Sequence, residues 1–279
     1  MSDEDTDVGH DQQNSATMDA PETDAPYPSR ATPIIFGASV IGPYHVLRGI
    51  PCQDACAYQT IEPACAAIAV ADGLGSASKS DIGANVAVTA AIEFLAHRLE
   101  VENSDLNLIE FSQTAIQEAR KALEEMAVEL QCALSDLACT MIVIMMNENY
   151  VAVSHIGDGA VVAEMDGNLQ LVSAPGESEY TNEVVPLTSP DWENHVRTGA
   201  ASGVTAVAAF TDGCQRAALA KSENGLAPFA KFFDPIFSFA REVESVHEAE
   251  EEIAALLSSK KLCENSEDDK TLVVALLQN

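Results

Sequence analysis

An α+β fold, in which antiparallel sheets are covered by helices, is predicted by three features of the sequence. Seven short runs of β-branched or small apolar residues read as strands, at 34–41, 64–71, 140–146, 150–156, 161–165, 204–210 and 271–277. Two long stretches, 81–99 and 106–134, instead repeat their apolar residues every three or four positions, as Leu123, Met126, Leu130 and Leu134 do, and read as helices. The strands cluster into meanders with helix pairs between them, whereas a parallel sheet would need a helical crossover after nearly every strand.

Residues 1–30 hold eight acidic side chains and no lysine or arginine before Arg30, with almost nothing that can form a core. They are expected to be a disordered acidic tail, followed by one large domain over 31–279. From Pro33 onward the strand-like texture begins. Further helices are expected at 226–240 and 246–258. The latter carries Glu248, Glu250, Glu251 and Glu252 near its start, where the helix dipole favours negative charge.

The net charge of −30 excludes a nucleic-acid role, which needs a basic stripe to displace condensed counterions. It fits either simple solubility or a carboxylate cluster that cations make tolerable. The seven cysteines are odd in number and lie mostly in apolar runs, which implies reduced buried thiols. Cys52 and Cys56 lack the partners of a zinc site. The acidic N-terminus has no basic-then-apolar leader, and no apolar run is long enough to span a membrane, so a cytoplasmic protein without membrane contact is expected.

Four acidic spots lie where apolar runs begin or end: Gln53-Asp54, Asp72-Gly73, Asp212-Gly213 and Asp268-Asp269. Two of them place an Asp-Gly pair directly after a strand-like run. A carboxylate there projects from a rigid strand end, and glycine lets the backbone approach an ion closely. An all-oxygen donor set suits magnesium or manganese better than zinc. Taken singly, each Asp-Gly pair reads equally as a hairpin turn, and Glu267-Asp268-Asp269-Lys270 as a solvated charge run.

The ordered set, however, resembles the type 2C metal-dependent protein phosphatases over about residues 35–277. The matching blocks are Pro51-Cys52-Gln53-Asp54-Ala55, the Asp-Gly block over 70–87 with Gly75, Ser76, Gly83 and Ala84, His155-Ile156-Gly157-Asp158-Gly159-Ala160, Thr211-Asp212-Gly213, and Asp268-Asp269-Lys270-Thr271. The resemblance implies a four-layer α-β-β-α sandwich of two antiparallel sheets flanked by helix pairs. It also implies that Asp54, Asp72, Asp212 and Asp268, with the Gly73 carbonyl, surround two Mn2+ or Mg2+ ions. The implied activity is hydrolysis of phosphoserine and phosphothreonine on a phosphoprotein, by a water activated between the two ions, in a monomeric enzyme.

Three departures from the family pattern stand out. Leu74 occupies the position where several members carry a histidine that protonates the leaving group, which leaves a metal-bound water or a histidine such as His45 or His155 as candidates. Gly49 stands where many members have a phosphate-gripping arginine, so Arg48, one residue earlier, is the candidate for that role. In related enzymes a third metal uses the residues matched by Asp158 and Arg216, and an arginine cannot ligate a cation; Asp158 then acts at most through water. The segment 175–183 falls where the family carries a variable flap, with Tyr180 and Trp192 as aromatic residues able to pack it down. These departures also motivate the alternative of a non-catalytic regulatory module with a degenerate metal site. Removal of residues 1–30 is expected to leave turnover of a small phosphomonoester unchanged; a large drop in rate would assign the tail a part in the site.

Overall fold

The computed structural model describes residues 32–61, 65–101, 107–148, 150–176, 184–223 and 225–277. The expected tail, and most of the 175–183 flap including Tyr180, lie outside them. In chain order the elements are β1 (Pro33–Val40), α1 (Pro43–Arg48), β2 (Asp54–Ile61), β3 (Cys65–Asp72), α2 (Ser80–Val101), α3 (Leu108–Glu129), β4 (Met141–Asn147), β5 (Tyr150–Ile156), β6 (Ala160–Met165) and β7 (Asn168–Ser173). There follow β8 (Arg197–Ser202), β9 (Val204–Phe210), α4 (Asp212–Ala218), β10 (Leu219–Ser222), β11 (Gly225–Pro228), α5 (Ala230–Arg241), α6 (Val246–Leu257), α7 (Lys260–Asn265) and β12 (Lys270–Leu277).

Two five-stranded sheets, β1-β12-β9-β6-β7 and β2-β3-β4-β5-β8, carry the fold, and every neighbouring pair in them is antiparallel. Their central strands are apolar on both faces, and the two-residue period of a strand sorts the side chains. Along β3, Ala66, Ile68 and Val70 join the core between the sheets, while Ala67, Ala69 and Ala71 face α2 and α3. Along β12, Val273 and Ala275 enter the same inter-sheet core, and Leu272, Val274 and Leu276 pack with α5 and α6 residues such as Phe237 and Ile253. The result is the four-layer α-β-β-α sandwich that the resemblance implies.

Alanine on the outer face of β3 meets Ala84, Ala87 and Ala91 of α2, so helix and sheet approach closely. At Gly83 the approach is closer still, since a Cβ there would lie 2.1 Å from the Leu137 carbonyl oxygen. No helix among the described residues is long and apolar enough to cross a membrane.

Two expected helices are corrected. The 226–240 stretch is not one helix: its first residues form β11, which pairs with β10 in a hairpin, and α5 begins only at Ala230. Pro228 ends the strand and Phe229 N–H bonds to Ala218 O, which satisfies the backbone without a helical turn. Likewise 106–134 ends as a helix at Glu129, and Leu134–Leu137 is a separate 3-10 turn. The Gly83 contact generates a test. Gly83→Ala forces backbone against backbone and should cost about 1–3 kcal/mol, read as a lower thermal midpoint; an unchanged midpoint would show that α2 can shift freely.

Candidate metal and phosphate site

Strand register brings the first two aspartates together. Asp54 opens β2, Asp72 closes β3, and they are direct partners in the antiparallel ladder. Asp54 is buried, and its Oδ2 accepts hydrogen bonds from Thr211 Oγ1 at 2.8 Å and Thr271 Oγ1 at 2.9 Å. Both threonines belong to the other sheet, at the end of β9 and the start of β12, so one carboxylate clasps the two sheets at the same edge. Thr140 Oγ1 accepts the Asp72 N–H at 3.0 Å, and Asp72 O accepts the Thr140 N–H at 2.8 Å, which fixes the strand end.

Neither site Asp-Gly pair is a hairpin. Gly73 follows a strand end, where a Cβ would lie 2.7 Å from Ser80 O and 2.8 Å from Gln53 O. Gly213 lies in the first turn of α4, where a Cβ would lie 1.9 Å from Asp269 O. Both glycines therefore answer to close backbone approach. The hairpin reading fits a third pair, Asp166-Gly167, whose φ values of 51° and 73° make the tight turn between β6 and β7.

Asp72, Gly73, Asp158, Asp212 and Asp268 line one cleft of about 1210 Å³, together with Arg48, His45 and Arg216. Asp54 is not among the lining residues. Asp268 is exposed, whereas Asp269 is buried and turned inward: its Oδ1 accepts Gly42 N–H at 2.7 Å, and its Oδ2 accepts Gln53 N–H at 2.6 Å and lies 2.8 Å from His45 Nδ1. His45, Asp268 and Asp269 bring ligand-type atoms within 4.8 Å of one another. Because Asp269 already serves two amides and a histidine, it reads as the brace that fastens α1 to the site, while Asp268 lines the cleft with its Oδ1 accepting the Asp269 N–H at 2.9 Å. Asp158 O accepts a hydrogen bond from Gln215 Nε2.

His155, by contrast, is buried on β5 away from the cleft, with Nδ1 2.9 Å from Ser173 Oγ. Burial, and then the Arg197 charge, push its pKa down to about 3, so it is a neutral core residue and drops out as a proton donor. Trp192 packs against the α2–α3 core. The threonines that hold Asp54 were missed in the sequence although both stand inside the recognised motifs, at Thr211-Asp212-Gly213 and at the end of Asp268-Asp269-Lys270-Thr271. Arg48 is brought to the cleft by α1, whose C-terminal Gly49 turns the chain with φ 65°, and its guanidinium sits 4.5 Å from the Tyr44 ring centroid.

Burial and mutual repulsion set the electrostatics. Asp72 is raised well above the ordinary carboxylate range, by burial first and then by Asp54, Asp212, Asp158 and Asp268. Burial raises Asp54 to about 8 against the opposing hydrogen bonds of Thr211 and Thr271, and burial followed by Asp158 and Asp268 raises Asp212 to about 6. Asp158 is also raised, mainly by burial. Asp212 Oδ1 and Gln53 Oε1 are buried without any hydrogen-bond partner among the described residues. Repelling carboxylates, an orphaned carboxylate oxygen and a purely oxygen donor set fit hard divalent cations.

A family model described as protein phosphatase 2C matches residues 41–258. The chain belongs to the protein phosphatase 2C family. A curated relative, serine/threonine-protein phosphatase 3 of Escherichia coli (strain K12), is 33% identical over 246 residues, covering 86% of this chain and 96% of its own length. Among solved structures, the PstP catalytic domain in complex with two manganese ions matches with a TM-score of 0.60 at 16% identity, over 88% of this chain and 99% of its own. The phosphatase Stp1 from Staphylococcus aureus matches with a TM-score of 0.60 at 11% identity, over 88% of this chain and 95% of its own. At these identities the structures share the 2C-type fold and carry no more than that.

The raised carboxylates predict a pH dependence. Their folded pKa values exceed the ordinary 3.8, so between about pH 4 and about pH 8 the folded chain binds more protons than the unfolded one. Stability of the metal-free protein should therefore fall as pH rises through that window, and manganese should raise the thermal midpoint more at pH 8 than at pH 5. A metal-free midpoint that climbs from pH 5 to 8 would contradict this electrostatic picture.

Proposed function

We propose that the protein is a serine/threonine protein phosphatase that hydrolyses phosphoserine and phosphothreonine esters at a dinuclear manganese or magnesium centre in the aspartate cleft. The observation that carries this reading is the convergence of Asp72, Asp212 and Asp268, from the ends of both sheets, on one cleft around a partnerless Asp212 oxygen. These three carboxylates and the Gly73 carbonyl would hold the cations, with Asp54 behind them and Asp158 beside them. When bound, the cations supply a hydroxide nucleophile near neutral pH and offset the charge of the phosphoryl group.

The remaining steps fall to side chains. Asp54, locked by Thr211 and Thr271, keeps the two strand ends at a fixed separation, so the ligands are preorganised instead of being assembled at each turnover. Arg48, stacked on Tyr44 at the cleft wall, takes phosphoryl oxygens in place of the arginine missing at Gly49. His45 is the cleft-lining histidine, and the Asp269 carboxylate at its Nδ1 orients the ring so that it can protonate the departing serine or threonine oxygen, the role left vacant by Leu74.

Turnover of para-nitrophenyl phosphate and of a phosphothreonine peptide, with manganese and with chelator, tests the centre. Asp72→Ala and Asp212→Ala should each lower kcat by at least about 100-fold on both substrates while the chain remains folded. Measured metal binding without turnover of either substrate would favour the regulatory-module reading, and turnover indifferent to chelator would remove the metal centre. His45→Gln separates the proton donor from the rest. It should slow the phosphothreonine peptide, whose alkoxide leaves poorly, far more than para-nitrophenyl phosphate, whose leaving group needs no proton. Equal loss on both substrates would assign His45 a structural part only.

A further inference from the structure

Beside the aspartate cleft lies a second concavity of about 570 Å³, formed by α4, α5, α6 and α7. Arg216 and Asn265 line both, so the two adjoin across a shared wall. The groove is apolar within, with Phe232, Ile236, Ile253 and Leu262 in its wall. Phe229 and Phe239 at its edge remain 41% and 37% exposed. Helix α5 is thus apolar on two sides: Phe233, Phe237 and Ala240 go to the core, while Pro235 and Phe239 are left to the groove. Aromatic residues make up only 5% of this chain, and clustering them where water reaches marks a binding surface.

The charge of the groove runs against that of the molecule. The chain has 44 acidic and 14 basic residues, yet Arg216, Lys231 and Lys261 line the groove against a single carboxylate, Glu252. Lys231 and Lys261 have no acidic partner among the described residues. Across the shared wall the sign reverses, because Glu264, Glu267 and Asp268 line the catalytic cleft.

We propose that this groove seats the substrate segment flanking the phosphorylated residue, and that it selects segments carrying an apolar or aromatic anchor with acidic side chains several positions from the phosphosite. The proposal rests on the phosphatase reading above and names the substrate class of that site. Acidic residues directly beside the phosphosite meet the acidic cleft wall and are disfavoured; beyond Asn265 they meet Lys231 and Lys261. The apolar anchor supplies affinity, and the charges choose among partners.

The test compares two phosphothreonine peptides that share the residues next to the phosphosite. One carries a distal Phe-Leu-Glu-Glu extension and the other Ser-Gly-Lys-Lys, and both are assayed on the intact, manganese-loaded chain. The first should show a kcat/KM about tenfold higher, mostly through KM, as expected of one buried anchor. Lys231→Glu combined with Lys261→Glu should remove the share of the difference that the charges supply, keep the share of the apolar anchor, and leave para-nitrophenyl phosphate turnover unchanged. Equal kcat/KM for the two peptides, or a preference undiminished by charge reversal, would overturn the groove proposal while leaving the phosphatase reading intact. Failure to turn over para-nitrophenyl phosphate would instead sink the phosphatase reading itself. Two other occupants give distinct signatures, and either one overturns the assignment to substrate: a preference seen only after residues 1–30 are deleted assigns the groove to the chain's own acidic tail, and a dimer dissolved by the charge reversal assigns it to a second copy.

Discussion

Everything at the active edge of this molecule depends on carboxylates being held closer together than they would choose to be. Asp54 and Asp72 are direct cross-strand partners, a placement that sets Cβ atoms about 5 Å apart. Two unit charges at that separation repel by on the order of 3 kcal/mol at an effective dielectric of about 20. The sheets tolerate this because Thr211 and Thr271 bind one of the two carboxylates from the opposite layer, and because the other opens onto a cleft where a cation can sit. The same clasp joins β2 to β9 and β12, so the fold and the site share one set of contacts.

That arrangement explains why so much of the architecture is devoted to close approach. Gly73 and Gly213 let the backbone pack where any side chain would collide, and Gly83 lets α2 settle on the turn that precedes β4. Asp269 spends its acceptors on Gly42, Gln53 and His45, fixing the short helix that carries Arg48. The 2C-type phosphatase fold is thus two stiff sheets whose matched ends bring carboxylates to one cleft.

The central strands were legible in the sequence because both of their faces are buried, which leaves unbroken apolar runs such as those of β4, β9 and β12. Among the edge strands β1 was legible from its apolar run, whereas β2, β7 and β8 were not, since each has a mixed sequence such as Asn168-Leu169-Gln170-Leu171 that lacks the apolar run of a buried strand. The 226–240 stretch misled for a related reason: its apolar residues serve first a hairpin and then a helix, and composition does not mark the change at Pro228. In the site, the aspartates could be named from motif order, but the pairing of Asp54 with Asp72, the threonine clasp and the inward turn of Asp269 are matters of register and packing between segments distant in the chain. His155 stood inside a recognised motif and is nevertheless a core residue, because β5 turns it into the inter-sheet layer, where it meets Ser173 of β7 and Arg197 of β8.

Burial and mutual repulsion hold protons on the clustered carboxyl groups, and a cation that binds among them must displace those protons. Calorimetric titration of the chelator-treated chain with manganese near pH 7, repeated in buffers of different ionisation enthalpy, measures both stoichiometry and proton release. Two ions per chain, bound with net release of protons that Asp212→Asn diminishes, is the predicted result. Absence of manganese binding, or binding of two ions with no proton released in any buffer, would contradict it.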